Sequence, residues 1–269
     1  MTNAALDKAV TDLMRRTARA TLMARYQQLT ADQVTAKAAD DMVTVADTES
    51  EAMLAEGLAQ LLPEAAIVGE EASHADAAVM DRLADSLCWV IDPLDGTNNF
   101  AAGKPPFGIL LALADKGETL SGWIYDPLTD RLCTAHKGKG AFVNGERITT
   151  RTTNQEPPVA AISLVFLDQN KREAMKKGIA PYYTLVDIPR CAAEQYPRIA
   201  LGVNDVSIFE RTLAWDHAPG VLFVNEAGGK AARPDGSPYL LHRHLEPGLI
   251  AAATPALFDV LTERLSKLS

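Results

Sequence analysis

Three apolar segments of strand length, residues 107–114, 119–126 and 131–135, follow one another with only turn residues such as Lys116-Gly117 and Asp126-Pro127 between them. Gaps that short hold no helix, so the crossovers that parallel strands need are disfavoured and the segments should return on one another as an antiparallel meander. Asn144-Gly145, between Ala141-Phe142-Val143 and Arg147-Ile148, adds a hairpin to its end. Just upstream, Trp89-Val90-Ile91 is continuously apolar and suits a buried strand.

Beyond residue 150 the pattern changes. The polar, proline-bearing stretch 150–158 precedes an alternation of strand (159–166), helix (171–178), strand (183–188), helix (191–201) and strand (205–209). A helix opened by Asp216 follows, with Pro219 in its first turn and Gly228-Gly229 at its end, then a strand at 249–253 and a helix from Thr254-Pro255 through Leu265. In the first half, Leu6, Val10, Leu13, Met14 and Leu22 recur at helical spacing over about residues 4–28. Residues 30–47 read as a loop with a short strand, Thr48 and Glu51 as a capping box opening a second helix, and 72–86 as a surface helix or loop. The expectation is an α+β part over residues 1–150, carrying the antiparallel sheet, and an α/β part over 151–269.

Composition removes several function classes. No apolar run approaches the ~20 residues that span a bilayer, and residues 1–8 lack the charged-then-apolar order of a signal peptide, so a cytoplasmic protein without a membrane partner is expected. A formal net charge of −9 opposes a nucleic-acid groove, which draws on clustered Lys and Arg. Cys88, Cys133 and Cys191 lie far apart with no C-x-x-C pair and read as reduced.

What remains is a set of carboxylates at element ends. The apolar run 89–91 ends in Asp92-Pro93-Leu94-Asp95-Gly96-Thr97, and residues 65–69 end in Glu70-Glu71, so two adjacent strands would set Glu70 beside Asp92. Asp216 opens one helix and Asp47 lies at the entrance of another. Singly, such acids serve as caps or turn residues. Together they suit a hard cation, Mg²⁺, Mn²⁺ or Ca²⁺, with the Leu94 carbonyl as a further oxygen. Two cations sharing these ligands would support phosphoryl transfer, with the Gly96 and Thr97 amides gripping phosphate and Asp47 taking a proton from Thr97 or a water. Covalent aspartyl chemistry is disfavoured because the two acids are one residue further apart than in D-x-D, and an EF-hand series is absent. Lys137-Gly138-Lys139-Gly140 lacks P-loop spacing and reads as a turn.

Gly69-Glu70-Glu71, Trp89-Val90-Ile91-Asp92-Pro93-Leu94-Asp95-Gly96-Thr97-Asn98-Asn99-Phe100, Trp215-Asp216-His217-Ala218 and Glu226-Ala227-Gly228-Gly229 closely resemble the inositol monophosphatase family of Mg²⁺-dependent, lithium-sensitive phosphatases. The likeness covers nearly the whole chain, with Val43-Thr44-Val45-Ala46-Asp47 a lesser match. It implies a layered αβαβα sandwich of the sugar phosphatase type, a homodimer, and two or three Mg²⁺ per active site. It places Glu70, Asp92 and the Leu94 carbonyl at a first metal, Asp92, Asp95 and Asp216 at a second, and Glu70 again at a third. Catalysis would fall to Thr97 and Asp47 with Glu70, and phosphate binding to the Gly96 and Thr97 amides.

On the substrate side the chain departs from the family. Where the family has Gly-Ser/Thr-Ala-Ala, this chain has Arg190-Cys191-Ala192-Ala193; Glu210 precedes Asp216 by six residues, one short of the family spacing, and Lys37 is displaced by one. Arg190, Ala192 and Glu210, together with Asp95, Gly96, Thr97 and Asp216, are the expected substrate contacts. The expected substrate is a small phosphorylated metabolite, a polyol or sugar phosphate. Alternatives on the same fold are 3′-phosphoadenosine 5′-phosphate, fructose 1,6-bisphosphate and histidinol phosphate, and the non-enzymatic alternative is a catalytically silent metal- or ligand-binding relative. Such a relative should have lost a ligand or Thr97, and none is missing.

Overall fold

The structure, a computed structural model, describes residues 3–38, 41–164 and 166–268. Helix α1 (Asn3–Thr17) widens into a π-helical stretch over Ala18–Met23. Thr21 Oγ1 donates to the Thr17 carbonyl at 2.8 Å, the acceptor an α-helical Thr21 amide would use, and this competition accompanies the change of ladder. Strands β1 (Val34–Ala38) and β2 (Asp41–Thr44) pair as a hairpin where a loop with one short strand was expected. The Lys37 side chain lies outside the described residues. Helix α2 (Val45–Leu61) begins three residues before Thr48, because the capping box is Thr44 with Asp47 and not Thr48 with Glu51. Asp47 Oδ2 accepts the Thr44 amide at 2.7 Å and Thr44 Oγ1 accepts the Ala46 amide at 3.1 Å.

Strand β3 (Ala66–Gly69), helices α3 (Glu70–Ala75) and α4 (Arg82–Asp85), strand β4 (Cys88–Asp95) and the short helix α5 (Thr97–Ala101) lead into the meander. It runs through β5 (Gly108–Asp115), β6 (Glu118–Asp126), β7 (Arg131–His136), β8 (Gly140–Val143) and β9 (Glu146–Ile148). Among the described residues these strands form a seven-stranded sheet in the order β3-β4-β5-β6-β7-β8-β9. Every pairing is antiparallel except β3 with β4, whose 18-residue connection allows the parallel crossover.

The second half alternates as its pattern requires: β10 (Val159–Ile162), α6 (Gln169–Gly178), β11 (Thr184–Leu185), α7 (Ala192–Ala200), β12 (Val206–Phe209), α8 (Ala214–Glu226), β13 (Lys230–Ala232), β14 (Leu249–Ala252) and α9 (Pro255–Leu265). They form a five-stranded mixed sheet, β11-β10-β12-β14-β13. Strands β10 and β11 are shorter than expected, and Val165, inside the expected first strand, lies outside the described residues. The three-residue β13 was too short to stand out in the sequence. Helix α8 starts at Ala214 after an extended Leu213, so Asp216 lies within the first turn and does not cap it. Pro219 is consequently inside the helix, where its missing N–H costs one hydrogen bond. Gly122 of β6 makes room for it: a Cβ there would lie 2.8 Å from the Pro219 Cα.

Alternate residues of the larger sheet face opposite ways, and each face has its own cover. Trp89, Ile91, Leu111 and Trp123 pack with Val10, Leu13, Met14, Leu54 and Leu58 of α1 and α2. Val90, Leu110, Ala112 and Ile124 face Tyr196, Ile199, Val221 and Leu222 of α7 and α8, and this central layer continues to Leu249 and Ala251 of the smaller sheet. The opposite face of that sheet, Ala160, Val206, Ile250 and Ala252, packs with Met175 of α6 and Phe258 and Leu261 of α9. The layers are therefore helix, sheet, helix, sheet, helix, an αβαβα sandwich. Cover on both faces explains why β4 opens with an unbroken apolar run, Cys88-Trp89-Val90-Ile91, each large side chain contributing about 1.5–3 kcal/mol on burial.

Two buried or bridging acids tie the layers together. The Asp205 carboxylate accepts the Thr153 and Val159 amides at 2.8 Å each and the Thr153 hydroxyl, pinning the connecting stretch to the start of β12. The Glu226 carboxylate, at the end of α8, accepts the Gly138 and Gly140 amides at 2.7 and 2.8 Å. The Lys137-Gly138-Lys139-Gly140 turn thus holds an internal carboxylate with the amides a phosphate loop would aim at a ligand.

Candidate active site

Asp92 and Asp95 would face opposite sides of a regular strand, since they are three residues apart. Strand β4 corrects this with a bulge: Asp92 pairs with Leu110 and Asp95 with Gly108, three steps on β4 against two on β5. Asp92 Oδ1 accepts the Leu94 amide at 3.1 Å, and Ser50 Oγ of α2 donates to the Pro93 carbonyl at 2.9 Å, which fixes the bulged segment from both sides.

The parallel register of β3 with β4 sets Gly69 beside Ile91, so Glu70 emerges next to Asp92 as the first residue of α3. Glu51 orients that helix from α2, its two carboxylate oxygens accepting the Glu71 and Ala72 amides at 2.8 Å each. A Cβ at position 69 would run into the Glu51 carboxylate, so the glycine is needed for this close approach. Asp216 arrives from the first turn of α8. Among the described residues, one ligand oxygen from each of Asp92, Asp95 and Asp216 can be chosen so that all three lie within 4.8 Å of one another.

Thr97 opens α5 after Gly96, whose φ of +84° is left-handed and whose added Cβ would lie 2.9 Å from the Pro106 carbonyl. Thr97 Oγ1 lies 2.8 Å from the Leu94 carbonyl and 2.9 Å from Asp47 Oδ1. Asp47 therefore caps its own helix through Oδ2 and reaches Thr97 through Oδ1. Asp95 Oδ2 likewise accepts the Ala193 amide at 2.5 Å and the Cys191 thiol at 3.1 Å, where the positive end of α7 favours a carboxylate.

Crowding of like charges out of water dominates the electrostatics. Burial raises Asp47 to about 6, against the lowering effect of its Thr44 and Thr97 hydrogen bonds. Burial and then the Asp216 charge raise Asp95 to about 7, with the Ala193 amide and Cys191 opposing. Asp92 is pushed well above the usual carboxylate range by burial and by Glu70, Asp95, Asp216 and Asp47. A cation bound among these oxygens removes that penalty, and an all-oxygen donor set fits Mg²⁺, Mn²⁺ or Ca²⁺ better than zinc. Burial also raises Cys191 far above its ordinary range, so it stays a thiol and donates to Asp95.

Arg190, Ala192 and Glu210 line the same cleft as Glu70, Asp92, Leu94, Asp95, Gly96, Thr97 and Asp216, and Asp47 adjoins it behind Thr97. Arg190 holds φ at +52°, a left-handed conformation that favours glycine. Glu210 Oε1 lies 3.2 Å from Lys171 Nζ of α6. Three contributors escaped the sequence reading. Glu51 looked like a cap residue, and only its hydrogen bonds to the Glu71 and Ala72 amides show that it serves a different helix. Arg211 lies 3.7 Å from Asp216 and its guanidinium is 4.7 Å from the centre of the Phe166 ring. His217 sits inside the quoted Trp215-Asp216-His217 motif: its Nδ1 is 2.6 Å from the Tyr196 hydroxyl and its Nε2 is 3.0 Å from the Arg211 carbonyl. Burial lowers His217 to about 3, so the ring is neutral; Nε2–H donates to the carbonyl and Nδ1 accepts from Tyr196.

The αβαβα layering and the acidic cleft at the sheet ends define a fold of the sugar phosphatase class. Within that class the chain belongs to the inositol monophosphatase family, whose model matches residues 3–269. It is 30% identical over 230 residues to an inositol-1-monophosphatase of Bacillus subtilis, covering 83% of each chain. It is 31% identical over 239 residues to Nus factor SuhB of Pasteurella multocida, covering 87% of this chain and 85% of that one. Among solved structures, the extragenic suppressor protein SuhB of Bartonella henselae superposes with a TM-score of 0.82 at 26% identity, over 98% of this chain and 99% of the other.

Proposed function

We propose that this protein is a Mg²⁺-dependent phosphomonoesterase that hydrolyses a small polyol or sugar phosphate by in-line attack of water. The observation that carries the reading is the Thr97 hydroxyl, set between Asp47 and the Leu94 carbonyl beside three convergent carboxylates. Glu70, Asp92 and the Leu94 carbonyl would hold one cation, Asp92, Asp95 and Asp216 a second, and Glu70 would share in a third; bound there, the ions neutralise phosphate charge and acidify water.

The remaining work falls to the chain's own groups. A threonine hydroxyl has one proton and two lone pairs, so Thr97 can donate to Asp47 while accepting a hydrogen bond from the attacking water. As the water attacks, its proton passes to Thr97 Oγ1 and the Thr97 proton passes to Asp47. A carboxylate raised to about 6 is well matched to receive a proton near neutral pH. The Gly96 and Thr97 amides, at the cleft wall, donate to phosphate oxygens. On this reading residues 1–150 supply most of the metal and catalytic groups, and residues 151–269 supply Asp216 and the substrate side. No helix among the described residues is long and apolar enough to cross a membrane; a cytoplasmic homodimer without nucleic-acid or membrane partners belongs to the same proposal.

The test is phosphate release from inositol, sugar, histidinol and nucleotide phosphates with Mg²⁺ present or chelated. Hydrolysis of a polyol or sugar phosphate that stops on chelation and is inhibited by lithium at high Mg²⁺ is expected. Preference for histidinol phosphate or a nucleotide would change the substrate, and no hydrolysis of any compound by folded protein would favour a silent ligand-binding relative.

A further inference from the structure

Two arginines stand where α7 and α8 enter the cleft. Arg190 precedes Cys191, the N-cap of α7, and Arg211 lies three residues before the start of α8. Both line the cleft, alongside the apolar side chains of Phe166, Ile188 and Phe209. Their backbones are anchored. Asn99 Nδ2 donates to the Pro189 carbonyl at 3.0 Å and Cys191 donates to Asp95, so Arg190 is held from both sides in a left-handed conformation that is strained for a non-glycine residue. The Arg211 carbonyl accepts from His217 Nε2 at 3.0 Å, and its guanidinium lies over Phe166.

A long cation kept at a strained position on a cleft wall is a reason to look for an anion there. Glu210, the acid on the same wall, is engaged by Lys171 at 3.2 Å, and Arg211 reaches Asp216 at 3.7 Å, so an anion held on this wall would share that guanidinium with the Asp216 carboxylate. Guanidinium groups recognise planar or tetrahedral oxyanions through paired N–H donors, which a neutral polyol does not match.

We infer that the cleft selects phosphomonoesters carrying a second anionic group, a carboxylate or a second phosphate, which Arg190 and Arg211 bind while the first phosphate is cleaved. This rests on the phosphatase reading above and narrows its substrate class.

Matched substrates that differ in the second group test it: glycerol 2-phosphate against 2-phosphoglycerate for a carboxylate, and fructose 1-phosphate against fructose 1,6-bisphosphate for a second phosphate. In at least one pair the anionic member should be favoured about tenfold or more in kcat/KM, the effect of a charge-assisted contact, and the pair that shows it identifies the anion. Arg190→Gly, which suits the left-handed backbone and so spares the fold, and Arg211→Gln should each reduce that preference about fivefold or more, with Arg190→Lys keeping part of it. Equal kcat/KM within both pairs, or a preference that survives both substitutions, overturns the arginine assignment and leaves the phosphatase reading standing. If folded enzyme hydrolyses none of the four, the phosphatase reading fails only where the inositol, histidinol and nucleotide phosphates are also left intact. Calorimetric binding of 2-phosphoglycerate and fructose 1,6-bisphosphate then decides the assignment: affinity lost in Arg190→Gly supports it, and no binding or unchanged affinity overturns it.

Discussion

Acidification should destabilise this protein in part through His217. Its side chain is 3% exposed, accepts from Tyr196 and donates to the Arg211 carbonyl, and burial lowers it from 6.5 to about 3. Because the folded value lies below the unfolded one, the unfolded chain takes up a proton first as pH falls. The stability that depends on a neutral ring is thus fully present above pH 6.5 and is lost progressively toward pH 3. The gap, 6.5 minus about 3, sets a ceiling of about 5 kcal/mol at 1.36 kcal/mol per unit, of which about 3 kcal/mol is gone by pH 4. That is a large share of a typical domain stability of about 5–15 kcal/mol. Asp47, Asp92 and Asp95 act in the opposite sense in metal-free protein, since their raised values favour the folded state as they protonate. The contribution of His217 therefore has to be isolated by difference. Urea unfolding of wild type and His217→Gln, without divalent ions at pH 7, 6, 5 and 4, should show the stability difference shrinking by about 3 kcal/mol toward pH 4. A difference that stays constant over that range would refute a buried neutral imidazole.

Asp95→Asn removes charge from a carboxylate facing both the Asp92 and Asp216 carboxylates and α7, so on the proposed function Mg²⁺ affinity should fall by more than the 10–100-fold typical of an outer-shell partner and turnover should nearly vanish. Titration calorimetry and circular dichroism check this, and unchanged hydrolysis would sink the metal assignment. Thr97→Val keeps the shape but leaves Asp47 Oδ1 without its 2.9 Å partner; kcat should drop about 10²–10⁴-fold with KM little changed, read by steady-state kinetics. Glu51→Gln weakens the clasp on the Glu71 and Ala72 amides and lets Glu70 drift, so Mg²⁺ should bind more weakly with about 1–2 kcal/mol of stability lost; normal Mg²⁺ binding would show that Glu51 does not position Glu70. Glu226→Ala frees the Gly138 and Gly140 amides and should cost about 1–3 kcal/mol in urea unfolding with kcat retained.

Much of this architecture was legible in one dimension because short-range rules governed it. Turn residues between apolar runs set the meander, Asn144-Gly145 set its hairpin, and the alternation after residue 158 set the second sheet. The acids could be picked out because Glu70 and Asp92 stand where apolar strands run out and Asp47 and Asp216 where helices begin. Misreadings cluster where a local signal had a long-range competitor. Thr48 and Glu51 fit a capping box by spacing, yet Thr44 and Asp47 form it because Asp47 has a second partner, Thr97, fifty residues away. Asp216 looked like a cap and instead sits within the first turn, because Leu213 supplies the extended residue before the helix.

By itself the sequence determined the alternation of elements, the identity of the acids and the continuous burial of β4, all of which follow from periodicity and turn chemistry along the chain. Only the tertiary structure decided that Asp92 and Asp95 share a face, because that depends on a bulge against β5; that Glu51 acts on a neighbouring helix; and that Glu226 fills the glycine turn at 137–140. Each of these is a relation between segments distant in the chain, set by register and packing, and no local pattern of residues encodes it.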